Sequence, residues 1–260
     1  MFPRSITKLL EGLYQLSGYL WSAFGRHFLP HYHDQDVKRR TESVRQSCKK
    51  ILRNCSHKVR QYQMRIAELE ELIAEDRLTG LSNRHGLDMK LPVAVSDLAR
   101  GKGNEEHPKM SAIMIDLDHF KQVNDRYGHQ TGDQVLIELA RRLLTFRQHR
   151  PSDIVCRLGG EEFLIILPSA SVEEAHKQAL LLASVVRGEP FAIEVGGQRV
   201  RLPITVSVGV AETEVLPREK HDIVWARLYH QSDKALYRAK NGDGKHPGRD
   251  QVVSYDPSLE

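Results

Sequence analysis

Two short, largely apolar runs, Ile154–Leu158 and Phe163–Leu167, are separated only by Gly159, Gly160, Glu161 and Glu162. Runs of this length bounded by glycines read as two strands of a hairpin. Such a hairpin cannot bury its apolar faces alone, and the surrounding chain supplies the neighbours. Ser111–Leu117 (SAIMIDL) and Ile204–Val210 (ITVSVGV) read as further buried strands, while Asp133–Phe146, Val172–Arg187 and Ile223–Lys240 read as amphipathic helices. This mixed order predicts an α+β domain with α/β-type layers, a central sheet flanked by helices.

The hairpin turn is chemically odd. A structural turn needs glycine, with one Asn or Asp at most. Two adjacent glutamates repel each other, so their presence on a tight turn suggests that something positive sits beside them. The strand SAIMIDLD ends in acids as well. Asp116 and Asp118 are two apart and share a face, with Leu117 on the other. A strand end and a turn that both carry acids can gather carboxylates in one place. Hard oxygen donors suit Mg²⁺, which binds through one or two carboxylates plus substrate phosphates. Gly159 and Gly160, lacking a Cβ, let the backbone approach a bulky phosphate closely.

The chain ahead of this domain has another character. Residues 37–75 contain neither glycine nor proline and read as one long helix. Its apolar or small positions are Val44, Cys48, Ile51, Cys55, Val59, Tyr62, Ile66, Leu69 and Ile73. Their alternation of threes and fours is a coiled-coil seam, and the consecutive fours around Cys55 make a stutter. A parallel homodimer through this helix is the expectation. Between Val37 and Arg65 stand ten Lys or Arg and one acid, Glu42, in a chain of net charge only +4. That face is read as solvated, and nucleic acid is not the expected partner. In residues 1–36, Ile6, Leu9, Leu10, Leu13, Leu16, Leu20, Trp21, Phe24 and Phe28 form one helical face. It predicts helix packing, with a peripheral helix on a membrane surface as the alternative.

Three cysteines in 260 residues, without a framework spacing, argue against a secreted disulfide scaffold. No run of about 18 apolar residues suggests a membrane span, and the amino terminus lacks the pattern of a signal peptide. The expected location is cytoplasmic, with the periphery of the inner membrane as the alternative. Cys48, Cys55 and the nearby His27, His31, His33 and His57 match no standard zinc spacing. Redox sensing or metal binding by them is left open, as are the signal received by residues 1–75, the pathway served and any higher oligomer.

In combination, five segments carry a resemblance. DRLTGLSNR (Asp76–Arg84), DLDHFKQVNDRYGHQTGD (Asp116–Asp133), RLGGEEF (Arg157–Phe163), ITVSVGVA (Ile204–Ala211) and DKALYRAK (Asp233–Lys240) resemble the GGDEF family of diguanylate cyclases, in order and in spacing. The resemblance spans roughly Asp76 to Tyr255 and divides the chain into residues 1–36, a coiled-coil stalk over 37–75 and a GGDEF domain over 76–260. It implies a palm-like fold akin to nucleotide cyclases. The implied reaction condenses two GTP into cyclic di-GMP, with release of two pyrophosphates, by a two-metal mechanism across a dimer. Biofilm and motility control are the processes the family generally implies.

The same resemblance assigns roles. Asp116, the Leu117 carbonyl and Glu161 match metal ligands, for Mg²⁺ with Mn²⁺ as an alternative. Glu162 matches the acid required for activity, through metal binding or activation of the attacking hydroxyl. Asn124 and Asp133 match guanine-recognition positions. A carboxylate there accepts from guanine N1–H and N2–H₂, donors that adenine lacks as a pair. A helix N-cap before Gln134 is a compatible second role for Asp133. Gly159, Gly160 and Lys240 match triphosphate contacts. The spacer KNGDGKHPGRD (Lys240–Asp250) is longer than in the family, and either Lys245 or Arg249 supplies the next positive charge. Arg150 and Asp153 form an R-x-x-D set at the offset of the family's inhibitory site for the product, cyclic di-GMP.

Overall fold

The computed structural model describes residues 34–100, 108–147, 152–242 and 248–257. The expected helix within residues 1–36 therefore lies, through residue 33, outside the described residues, as do Arg150 and Lys245. Packing divides the chain after Ile66 into an amino-terminal unit and a unit Ala67–Glu260.

Helix α1 spans Asp34–Ile73 and crosses that boundary. Its forty residues are rich in Lys, Arg, Gln, Glu and Leu and contain neither Gly nor Pro, so nothing in the run breaks a helix. It starts before Val37 and stops before Glu75, two residues short of the sequence expectation. The reason is Asn83, whose Nδ2 donates to the carbonyls of Ile73 (2.7 Å) and Glu75 (3.1 Å) and whose amide donates to Ala74. The freed helix-end carbonyls are thereby satisfied. Most of the seam is bare on this chain: Val44, Cys48, Ile51, Cys55, Tyr62, Ile66, Leu69 and Ile73 are exposed.

Within the second unit, α2 (Arg84–Ala99) leads to β1 (Lys109–Leu117), then α3 (Phe120–Tyr127) and α4 (His129–Arg147). The hairpin β2 (Ile154–Gly159) and β3 (Glu162–Pro168) follows, then α5 (Val172–Gly188). A small hairpin, β4 (Phe191–Val195) and β5 (Gln198–Leu202), precedes β6 (Val206–Glu214), α6 (His221–Asn241) and β7 (Val252–Ser254). The main sheet has the order β2-β3-β1-β6-β7, antiparallel except for the β6–β7 pair.

β1 is central, and its alternation separates two cores. Ile113, Ile115 and Leu117 join the cluster made with Val135, Leu139 and Leu143 of α4 and Ala179 and Leu182 of α5. Met110, Ala112 and Met114 join the cluster made with Leu87 and Leu91 of α2 and Leu228 and Leu236 of α6. Helices thus cover both faces of the sheet, as expected for α+β layers. By the same alternation Asp116 falls on the α2/α6 face.

Close contact on that face depends on Gly209. A Cβ there would overlap backbone atoms of Ser232 and Leu236 in α6, so its absence lets α6 lie directly on β6. That contact carries the helix's last turn, with Lys240, to the sheet end where Asp116 sits. Sequence reading missed α2, α3, the β4–β5 hairpin and β7. It also began the fourth helix at Asp133, four residues late.

Candidate active site

The Gly-Gly-Glu-Glu segment forms a tight reversal between β2 and β3. Gly159 (φ 154°) and Gly160 (φ 52°) both occupy conformations that favour glycine, and the space where their Cβ atoms would stand is open. Backbone is therefore presented to solvent without side-chain cover. In the β1–β3 register Glu162 lies opposite Asp116, and the Leu117 amide, at the end of β1, donates to the Glu161 carbonyl at 3.4 Å. The two acid-bearing segments singled out in the sequence do meet.

Asp116 is only 2% exposed. Its Oδ2 pairs with Lys240 Nζ at 2.6 Å, while its Oδ1 is buried with no hydrogen-bond partner among the described residues. Burial is the largest influence on this carboxyl and raises its pKa to about 6, with the charges of Glu161 and Glu162 adding to the rise and Lys240 opposing it. An orphaned anionic oxygen amid further acids fits a divalent cation. No three His, Cys, Asp or Glu side chains among the described residues converge tightly enough to hold an ion unaided. This suits an ion that completes its shell with water and substrate phosphate.

Asp118, two residues on, plays a different part. Its carboxylate accepts from Thr205 Oγ1 (2.7 Å), Ser207 Oγ (2.7 Å) and the Asp250 amide (2.8 Å), and lies 3.7 Å from Arg249 Nη1. The side chain is filled with donors, unlike that of Asp116. Of the two candidates for the second positive charge, Arg249 is held beside this strand end.

Asn124 and Asp133 are brought together by a glycine. A Cβ on Gly132 would collide with Asn124 Oδ1, so the amide closes onto the first turn of α4 next to Asp133. Asp133 is exposed. The N-cap role considered for Asp133 is corrected: α4 starts at His129, and Asp133 is its fifth residue. The earlier start follows from Gly128 (φ 84°), which ends α3, and from the Gly132 amide donating to the Gly128 carbonyl. Asp153 is buried just ahead of β2.

Sequence reading passed over one more residue at this turn. Arg157 donates from Nε and Nη2 to the Gly160 carbonyl (3.1 and 2.7 Å), and from Nη1 to Asp76 Oδ1 at 3.0 Å. Thr79 also donates to Asp76, from its amide and hydroxyl. These bonds and the Arg157 pair hold the Asp76 pKa below the usual carboxylate range despite burial, the largest single influence. The loop that ends α1 is thus tied to the Gly-Gly-Glu-Glu turn.

The family model "Diguanylate cyclase, GGDEF domain" matches residues 73–246. The chain belongs to the diguanylate cyclase GGDEF family. The response regulator PleD of Caulobacter vibrioides is 37% identical over 183 residues, which cover 70% of this chain and 36% of PleD. This GGDEF chain therefore matches about a third of PleD's length. Among solved structures, the coiled coil and GGDEF domain of DgcB from Caulobacter crescentus, in complex with c-di-GMP, superposes with a TM-score of 0.61 at 27% identity. The match covers 80% of this chain and 99% of that one. Diguanylate cyclase SiaD of Pseudomonas aeruginosa, in complex with its activator SiaC, gives a TM-score of 0.55 at 29% identity. It covers 96% of this chain and 88% of that one. The palm-like GGDEF fold expected from the sequence is thereby shown.

Proposed function

We propose that this chain is a diguanylate cyclase that condenses two GTP into cyclic di-GMP and two pyrophosphates. The observation that carries the reading is Asp116: buried, opposite Glu162, paired with Lys240 on one oxygen and unpartnered on the other. Asp116, Glu161 and the Leu117 carbonyl would hold Mg²⁺ or Mn²⁺, and Glu162 would hold metal or take the hydroxyl proton. Bound metal would neutralise phosphate charge and acidify the attacking hydroxyl. Lys240 and Arg249 would bind the triphosphate, with the bare backbone of Gly159 and Gly160 alongside. Asn124 and Asp133 would read the guanine edge. In each half-reaction a ribose 3′-oxygen forms a bond to the α-phosphorus of the opposing nucleotide. The bond to the β-phosphate oxygen breaks, and pyrophosphate departs.

Two active sites must face each other, so the reading requires a homodimer, for which the exposed seam of α1 is the proposed contact. The domain limits 37–75 and 76–260, and an inhibitory site at Arg150 and Asp153 for the product, belong to the same proposal. So does a cytoplasmic location; no helix among the described residues is long and apolar enough to cross a membrane. The likeness to SiaD over nearly the whole chain supports a protein activator as a further partner.

The test is incubation of the purified chain with GTP and Mg²⁺, followed by chromatography. Wild type is expected to yield cyclic di-GMP, and Glu162→Ala none at an unchanged melting temperature. Equal product from both would overturn the assignment of Glu162. GTP binding without product from wild type would favour a silent binding module.

A further inference from the structure

The long spacer after Lys240 ends in Gly248-Arg249-Asp250, a strap anchored at four places. Gly248 lies so close to the Lys240 carbonyl that a Cβ would overlap it. The Arg249 amide donates to the Ala239 carbonyl at 2.6 Å. Arg187 Nη1 meets Asp250 Oδ2 at 2.8 Å. The fourth anchor is Asp118, which takes the Asp250 amide at 2.8 Å and faces the Arg249 guanidinium at 3.7 Å.

Arg249 (φ 75°) and Asp250 (φ 49°) are consecutive left-handed residues with side chains. That conformation is costly for anything but glycine and persists only where the surroundings enforce it. Asp118 is the enforcing group best placed to do so. It is 4% exposed and itself fixed by the Thr205 and Ser207 hydroxyls at 2.7 Å each. Its own amide also donates to the Thr205 carbonyl. With two hydroxyls and an amide on its oxygens, it is committed to protein donors.

Resting on the reading of this site as a GTP site, we propose that Asp118 is a positioning residue. It docks the strap Gly248–Asp250 against the sheet end and thereby holds in place Arg249, the cation already assigned to the triphosphate. Asp118 acts through Arg249, whereas Asp116, two residues earlier on the same face, would hold the metal. The extended spacer therefore re-delivers the charge by anchoring its far end.

The full chain tests this by calorimetric GTP binding and by steady-state synthesis. Asp118→Asn is expected to weaken GTP binding and raise KM by about tenfold, with kcat at saturation within threefold of wild type. Arg249→Ala is expected to do the same, and the double variant to be no worse than Arg249→Ala alone. Thr205→Val, which keeps Asp118 but removes one of its donors, gives a smaller shift of the same kind and serves if Asp118→Asn fails to fold. Multiplying losses in the double variant, a collapse of kcat at unchanged KM, or a larger effect from Lys245→Ala than from Arg249→Ala would overturn the proposal. Failure of wild type to bind GTP would overturn the functional reading, and the proposal with it.

Discussion

Asp116 is under two opposed pressures. Burial and the charges of Glu161 and Glu162 favour its neutral form, whereas Lys240 favours the anion. The outcome is a pKa of about 6 against an ordinary 3.8. The folded state then binds more protons than the unfolded chain between those values, so stability falls as pH rises through that window. Ionised Asp116 costs on the order of 3 kcal/mol at pH 8. Asp116→Asn removes the cost, because the partly exposed Lys240 can return to water. The variant should lose synthesis yet be more stable than wild type in metal-free buffer, with a larger gain at pH 8 than at pH 5. Denaturant unfolding at the two pH values checks this; equal gains at both would show that desolvation does not govern Asp116. Cys156 offers a contrast. Burial pushes its thiol up to about 12, so it packs as a small apolar residue.

At this scale the sequence was informative in proportion to how local the chemistry is. Two glutamates beside two glycines point by themselves to something positive beside the turn. The division of labour between Asp116 and Asp118 was not legible, since both share a strand face. Only Thr205, Ser207 and Asp250, 87 to 132 residues away, tell them apart. The proposed choice of Arg249 over Lys245 likewise rests on a distant carboxylate, Asp118. The cap role weighed beside guanine recognition for Asp133 fails because the helix starts at His129, marked by the backbone of Gly128 and by no side-chain cap signal.

At the scale of elements, strands were recovered where apolar runs are buried on both faces, as in β1, β2, β3 and β6. The β4–β5 hairpin was missed although it carried a signal: Gly196-Gly197, both at positive φ, between two alternating five-residue segments. α2 was hidden by Pro92 in its interior, which reads as a breaker. β7 has three residues and exists only by parallel pairing with β6. The element contact most worth testing is α6 on β6. Gly209→Ala forces a methyl into backbone atoms of Ser232 and Leu236, where nothing flexible can give way. A loss of about 1–3 kcal/mol, or roughly 2–12 °C in melting temperature for a domain of this size, is expected. Lys240 would be displaced and KM for GTP raised as well. An unchanged melting curve would mean that the helix does not need this approach.

For the whole molecule, α1 sets the question. A 40-residue helix bearing Val44, Ile51, Tyr62, Ile66 and Leu69 at half or near-half exposure or more has its apolar seam uncovered, which is unfavourable in water. We propose that a second copy covers it, which would also supply the second GTP site that the proposed reaction needs. Ile51→Asp combined with Ile66→Asp should convert a dimer into a monomer by light scattering. Synthesis per chain should then fall at least tenfold at micromolar concentration. A variant that stays dimeric, or a monomer with full activity, would remove the stalk from the account. The tie from Asp76 through Arg157 to the Gly160 carbonyl gives the helix end a physical link to the Gly-Gly-Glu-Glu turn.

In the proposed reaction the acids of β1 and of the Gly-Gly-Glu-Glu turn hold a divalent cation together with a triphosphate. The most direct test of that role is Mn²⁺ binding followed by electron paramagnetic resonance, with and without GTP. Weak Mn²⁺ binding alone is expected, with tight binding once GTP is added and loss of that gain in Asp116→Asn and Glu161→Gln. Mn²⁺ affinity that is indifferent to GTP, or unaffected by either substitution, would contradict it.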